Sequence, residues 1–279
     1  MLHGQQQAAR AAEALAPEIA DAVSAAVSRL KHGGRIILVG AGTSGRIAVQ
    51  DGVELAPTYG WSMDRLVFLL AGGRNALTES VEAAEDDAAL AVREIAESSV
   101  SSDDVVIGVA ASGRTPYTCA AIECSRAKGA LTIAIANQPA TPLIDLADIA
   151  LCAETGAEFI AGSTRMKAGT AQKIILNTLS TGIMIGLGRT HDGLMTHMSV
   201  SNAKLRRRAI DIISQIAGTS PECSGDKLHA ADNDLPVAIL MAAGCDRDQA
   251  QRLLSEANHS VTTALAAVRR SSGGQSNGA

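Results

Sequence analysis

Arg35-Ile36-Ile37-Leu38-Val39-Gly40-Ala41-Gly42-Thr43-Ser44-Gly45-Arg46 is the stretch that decides the fold. Its first half is a short apolar run rich in β-branched residues, and its second half is a turn of Gly, Ser and Thr opening into an Ala-bearing helical pattern. A strand that passes through a glycine-rich turn into a helix is the opening of a βαβ unit. Four more apolar runs follow: Leu66-Val67-Phe68-Leu69-Leu70, Val105-Val106-Ile107-Gly108-Val109, Leu131-Thr132-Ile133-Ala134-Ile135 and Ile149-Ala150-Leu151. Most are separated by Ala-rich segments long enough for helices. Strands that alternate with helices imply right-handed crossovers and an α/β fold with a five-stranded parallel sheet covered on both faces. Ligands of such sheets sit at the carboxyl ends of the strands.

The composition supports that architecture. Apolar residues make up 47% of the 279, yet only Tyr59, Trp61, Phe68, Tyr117 and Phe159 are aromatic, so the core must be built from Ala, Val, Ile and Leu. Upstream of the first strand, residues 1–34 read as N-terminal helices ending at Gly33-Gly34. The pattern then predicts one α/β domain with its C-terminal helices over 35–217, a small three-helix module over 218–268 and a flexible tail over 269–279. Within these, Ser163 to Leu187 and Leu194 to Ala217 read as two long helices.

Charge and cysteine usage narrow the function. The net charge of −5 speaks against nucleic acid as a partner, and the one dense basic run, Lys204 to Arg208, reads as a solvated helix face. Five cysteines with no CxxC pair suit reduced thiols packed in a cytoplasmic core, and the six histidines show no metal-ligand spacing. The N-terminus lacks an apolar signal core and no run approaches a membrane span, so a soluble cytoplasmic protein is expected.

Gly40 to Gly45 has the GxGxxG spacing of a dinucleotide site, but Ala71-Gly72-Gly73 follows the second strand where a ribose-binding carboxylate should stand. Thr43 and Ser44 also add hydroxyls where a pyrophosphate site needs bare backbone. The third strand runs into a second turn of the same kind, Ala110-Ala111-Ser112-Gly113-Arg114-Thr115-Pro116. Ser112 and Thr115 can donate from their hydroxyls, and the helix that follows offers free backbone N–H groups to an anion. Ser and Thr also cap helices for purely structural reasons. Two such turns after strands that can lie side by side favour a phosphosugar site. Glu82, Glu85 and Asp86 have the spacing of one helix face, and Glu54 stands near the end of the helix after the first turn. Spacing alone gives neither glutamate a catalytic role.

The two turns resemble those of the sugar isomerase (SIS) domain. Together with Ser163-Thr164-Arg165-Met166-Lys167-Ala168-Gly169-Thr170-Ala171-Gln172-Lys173 they are similar to the N-acetylmuramic acid 6-phosphate etherase family, whose relatives include the glucokinase regulatory protein. The likeness runs from about residue 10 to residue 268. It implies cleavage of a D-lactyl ether from a 6-phosphorylated amino sugar by elimination and hydration, with no metal or redox cofactor. It places the acid at Glu54, within Val53-Glu54-Leu55-Ala56-Pro57-Thr58, and the base at Glu85, within Val81-Glu82-Ala83-Ala84-Glu85-Asp86. It implies substrate contacts from Thr43, Ser44, Ser112, Gly113, Arg114, Thr115, Ser163, Thr164 and Lys167, and a homodimer. The family pattern has Cys where Leu55 stands, Pro where Ala56 stands and Gly where Ala83 stands. Opposite protonation states for the two carboxyls predict a more apolar pocket for Glu54. The alternatives are a non-catalytic phosphosugar sensor and an aldose–ketose isomerase.

Overall fold

The computed structural model describes residues 1–81 and 83–273. Helices α1 (Leu2–Glu13) and α2 (Ala16–Leu30) precede strand β1 (Ile36–Gly40), helix α3 (Gly42–Val53) and the short α4 (Leu55–Tyr59). Next come β2 (Leu66–Leu70), α5 (Ala88–Glu97), β3 (Val105–Val109), α6 (Pro116–Ala127), β4 (Leu131–Ala136), α7 (Pro142–Leu146) and β5 (Ile149–Cys152). The sheet is wholly parallel, in the order β2-β1-β3-β4-β5. The five expected strands are therefore present. β1 and β3 are direct neighbours, with Gly40 opposite Val109, so the two glycine-rich turns leave the sheet side by side.

Alternation along the strands feeds two cores. Ile37, Val39, Leu69, Val106 and Ala134 pack with Ala91 and Ile95 of α5 and with Tyr117, Ala121 and Ile122 of α6. On the opposite face Leu38 and Phe68 lie against Gly52 of α3, where any side chain would strike Phe68 Cε1 at 2.5 Å. The start of α3 is drawn equally close. A Cβ on Gly45 would sit 2.3 Å from Leu70 Cδ1 and 2.8 Å from the Gly40 carbonyl carbon.

The described chain forms two compact units, one of Met1–Glu54 with Ser62–Ile183 and a second of Leu55–Trp61 with the residues from Met184 to Gly273. The long helix α8 (Lys167–Gly186) starts later than Ser163, because the Glu158 carboxylate accepts from the N–H groups of Lys167 and Ala168, both at 3.0 Å. α9 (Ala203–Ala217) also starts later than expected. The chain first turns back at Asp192 and Gly193, both at positive φ, and Asn202 Oδ1 then caps the helix through Leu205 N–H at 2.9 Å.

Four helices rather than three follow: α10 (Pro221–Ala230), α11 (Leu235–Ala242), α12 (Arg247–Glu256) and α13 (Val261–Gly273). Asn258 and His259, both left-handed, end one pattern and begin another. These helices share a core with α9 through Ile212, Ile213, Leu228, Ile239, Leu254 and Leu265. α13 runs into the segment expected to be a tail, of which residues 274–279 lie outside the described residues. Among the described residues no helix is long and apolar enough to cross a membrane.

Within the second unit His197 is 9% exposed. Burial, then the charge of Arg189, pushes its imidazole down to about 4, against the backbone hydrogen bonds of Arg189 and His259, which favour the protonated ring. A histidine whose folded pKa lies below its unfolded value lets the unfolded chain bind protons first. Stability is therefore intact above about pH 6.5 and falls as pH drops towards 4, by roughly 3 kcal/mol in total. His197→Gln should flatten that part of the denaturant-measured stability profile. An unchanged slope between pH 4 and 6.5 would contradict the assignment.

Gly45→Ala should cost about 1–3 kcal/mol in the same measurement, because backbone and a packed Leu must both give way.

Candidate functional site

At the β1 turn, Ala41 is extended and α3 begins at once, so the free N–H groups of its first turn face the carboxyl edge of the sheet. A cavity of about 450 Å³ opens there, lined by Gly42, Thr43, Arg46, Ser80, Val81 and Glu85, among others. The structure thus brings Glu85 to the first turn. Ser44 is not among the lining residues; it is buried.

The wall carrying Glu85 departs from the sequence reading. Ala84–Asp86 is a single 3₁₀ turn, entered through Ala83 at φ 59°, and α5 begins only where Asp87 accepts from Leu90 N–H at 2.8 Å. Asp86 therefore does not share an α-helical face with Glu85, and Glu82 lies outside the described residues. Arg46, part of the first glycine-rich motif, holds this wall. Its guanidinium donates to the carbonyls of Ala76 at 2.7 Å and Glu79 at 2.6 Å. The motif held that signal; the place of Ser80 in the cavity wall had none.

The second turn is fastened from below. Gly113 is left-handed, and a Cβ there would meet Thr141 Oγ1 at 2.1 Å. Its N–H donates to Ala110 O and its carbonyl accepts from Leu143 N–H, both at 3.0 Å. Ser112 Oγ accepts from Arg114 N–H at 3.2 Å, and the Arg114 guanidinium reaches Ala140 O at 3.4 Å. Thr115 precedes Pro116 at the start of α6 with no side-chain cap bond, which leaves its hydroxyl available. Beside this turn a second cavity, of about 250 Å³, is lined by Ala111, Asn137, Glu154, Thr155, Glu158 and Thr164, among others. Buried Asn137 donates to Ala153 O and accepts from Gln172 Nε2.

The third motif divides. Thr164 is exposed at the second cavity, while Ser163 is half-buried and its N–H donates to Ile160 O. Lys167 is 9% exposed, and its ammonium donates to Thr155 O at 2.6 Å. It lines a third cavity, of about 150 Å³, with Gln5, Glu158 and Phe159.

Glu54 stands apart. It caps the far end of α3 and is exposed, not held in an apolar pocket. At 1.5 Å per residue it lies about 16 Å along the axis from Thr43. The helix buries Ser44, Gly45, Ala48, Asp51 and Gly52, which turns Val53 and Glu54 outward.

All five cysteines are free thiols. Burial pushes the Cys119, Cys152 and Cys245 thiols up, so none of these three is an activated nucleophile. Burial, with the hydrogen bond to Glu94, likewise raises the Tyr117 hydroxyl.

The chain is 44% identical over 271 residues to the N-acetylmuramic acid 6-phosphate etherase of Deinococcus radiodurans, covering 97% of this chain and 80% of that one. It is 43% identical to N-acetylmuramic acid 6-phosphate etherase 1 of Enterococcus faecalis, covering 94% and 87%. The chain belongs to the N-acetylmuramic acid 6-phosphate etherase family. Residues 78–181 also match the SIS domain, and residues 18–126 match the glucokinase regulatory protein N-terminal SIS domain. In this etherase-family chain, Ala83 is a non-glycine residue held in the left-handed region.

Arg46→Met should free the 76–79 segment and destabilise the chain by about 1–3 kcal/mol, the range for hydrogen bonds from a charged donor. Ala83→Gly should recover about 0.5–1 kcal/mol by relieving a left-handed alanine. Chemical denaturation of both variants checks the pair; an Arg46→Met variant as stable as the parent would show that the wall stands without it.

Proposed function

We propose that this chain cleaves the D-lactyl ether of N-acetylmuramic acid 6-phosphate to N-acetylglucosamine 6-phosphate and D-lactate, as a carbon–oxygen lyase acting by elimination and then hydration. The observation that carries this reading is Glu85 lining one cavity with Thr43 at the first turn, in a chain of the etherase family.

The phosphate is held at the second turn by the Ser112 and Thr115 hydroxyls, the Gly113 backbone, the Arg114 guanidinium and the start of α6. Thr43, Ser163 and Thr164 take the sugar. Ser44 and Lys167 support the turn and the loop from behind, as their burial suggests. Ring opening exposes an aldehyde at C1, which acidifies the proton on C2. The Glu85 carboxylate removes that proton. A protonated Glu54 donates to the lactate oxygen leaving C3; as a carboxylate it then takes a proton from the water that adds at C3, while Glu85 returns a proton to C2. Well-placed acid or base groups are each worth about 10²–10⁴ in rate. The aldehyde supplies the acidity, so these steps require no metal or redox cofactor.

One chain separates Glu54 from the first turn by the length of α3. We therefore assign a homodimer in which Glu54 reaches the substrate from a second copy. The setting is the cytoplasm and the purpose recovery of amino sugars from cell wall.

Incubation with N-acetylmuramic acid 6-phosphate should release D-lactate. Glu54→Gln should stop release while still exchanging the C2 proton for deuterium, and Glu85→Gln should abolish both. Full lactate release from Glu85→Gln would refute the base. Thermal stabilisation by the sugar phosphate without any lactate would favour a sensor.

A further inference from the structure

The proposed chemistry makes no use of Asp51, yet this carboxylate is 3% exposed on α3. Burying a charge is costly unless it is paired and hydrogen-bonded. Both conditions are met from α8, where Asn177 Nδ2 donates to Asp51 Oδ1 and Lys173 Nζ lies 3.5 Å from the same oxygen. Lys173 and Asn177 are four residues apart, one turn of α8, and so present a cation and an amide to a single point.

Two features connect this cluster to the proposed acid. Asp51 and Glu54 are three residues apart at the end of α3, and the Glu54 N–H donates to the Asp51 carbonyl at 3.3 Å. The other end of α8 meets the other end of α3. A methyl built on Gly169 would sit 3.7 Å from Thr43 Cγ2 and 3.3 Å from Ile47 Cδ1. α8 therefore lies along α3 like a splint, touching it beside Thr43 and gripping it beside Glu54.

We propose that Asp51, Lys173 and Asn177 are positioning residues for Glu54, fixing the last turn of α3 so that the carboxyl meets the leaving oxygen. The proposal rests on Glu54 being the acid of the reaction described above. It differs from ordinary helix packing in what it disturbs: Glu85 reaches its cavity through the Ala83–Asp86 turn, which the cluster does not touch.

The test measures D-lactate release and C2 proton–deuterium exchange in parallel on the full chain. Lys173→Met should lower lactate release about 10- to 100-fold, the scale of a misplaced reacting group, and leave exchange close to the parent rate. Lys173→Arg should restore most of the release. Asp51→Asn combined with Lys173→Met should also restore it, because a neutral amide bonded to Asn177 no longer needs the cation. If Lys173→Met fails to fold, Asn177→Ala supplies the same comparison with the ion pair intact. Equal loss of release and exchange, or no loss of release, would overturn the positioning role. A parent protein that binds the sugar but releases no lactate would instead overturn the reaction, and this proposal with it.

Discussion

Everything at the candidate site depends on one register: Gly40, at the end of β1, lies opposite Leu70 on one side and Val109 on the other. Three strands thus stop at one level, and the chain must turn there three times within a small area. The opposite edge is pinned. Arg35 gives Asp104 a 2.7 Å ion pair and a 2.9 Å backbone hydrogen bond, which join the residues immediately before β1 and β3. Burial alone would raise the Asp104 carboxyl, but the hydrogen bonds from Arg35 and Ser101, with the Arg35 charge, hold it below the usual range. Arg65 donates to the carbonyls of Leu30 and Gly34, which secures the entry to β2 in the same way. With the amino edge locked by charge and the strands buried, only the carboxyl edge is free to carry polar turns.

The sheet was legible because a parallel strand buried on both faces must be almost wholly apolar and is best made of β-branched residues. Val105 to Val109 and Leu131 to Ala136 satisfy that at every position but Thr132, whose hydroxyl is bonded to Asp148 at 2.7 Å. Helix starts were less legible. Their position depends on which group satisfies the first N–H donors, and that group can be remote. Asn202 caps α9 from the adjoining position, a local signal. Glu158 caps α8 from nine residues upstream across an irregular loop, and nothing in the spacing points to it.

The site divides along the same line. The turns announced themselves through residue types, since backbone N–H groups at a helix start need Gly, Ser and Thr around them. Arg46 and Lys167 show what residue type cannot tell. Each is a cation in a motif, and each spends its donors on carbonyls of the protein, Ala76 and Glu79 in one case and Thr155 in the other. A cation that supports a wall and one that binds an anion look alike until the partners are known.

Distance is the quantity sequence conveys least directly, although α3 makes it calculable. A straight helix is a ruler of about 1.5 Å per residue. Arg46 also lines Glu85's cavity and stands eight residues before Glu54, about 12 Å along the axis. A side chain spans only a few ångströms, so no rotamer closes a gap of that order. Bending α3 would break the Gly45 and Gly52 contacts that seat it on the sheet, where Leu70 and Phe68 already leave no room for a methyl group. On the reading proposed above, an acid at Glu54 and a base at Glu85 serve one substrate from different copies. The rigidity that keeps them apart within one chain would then fix their geometry across a pair.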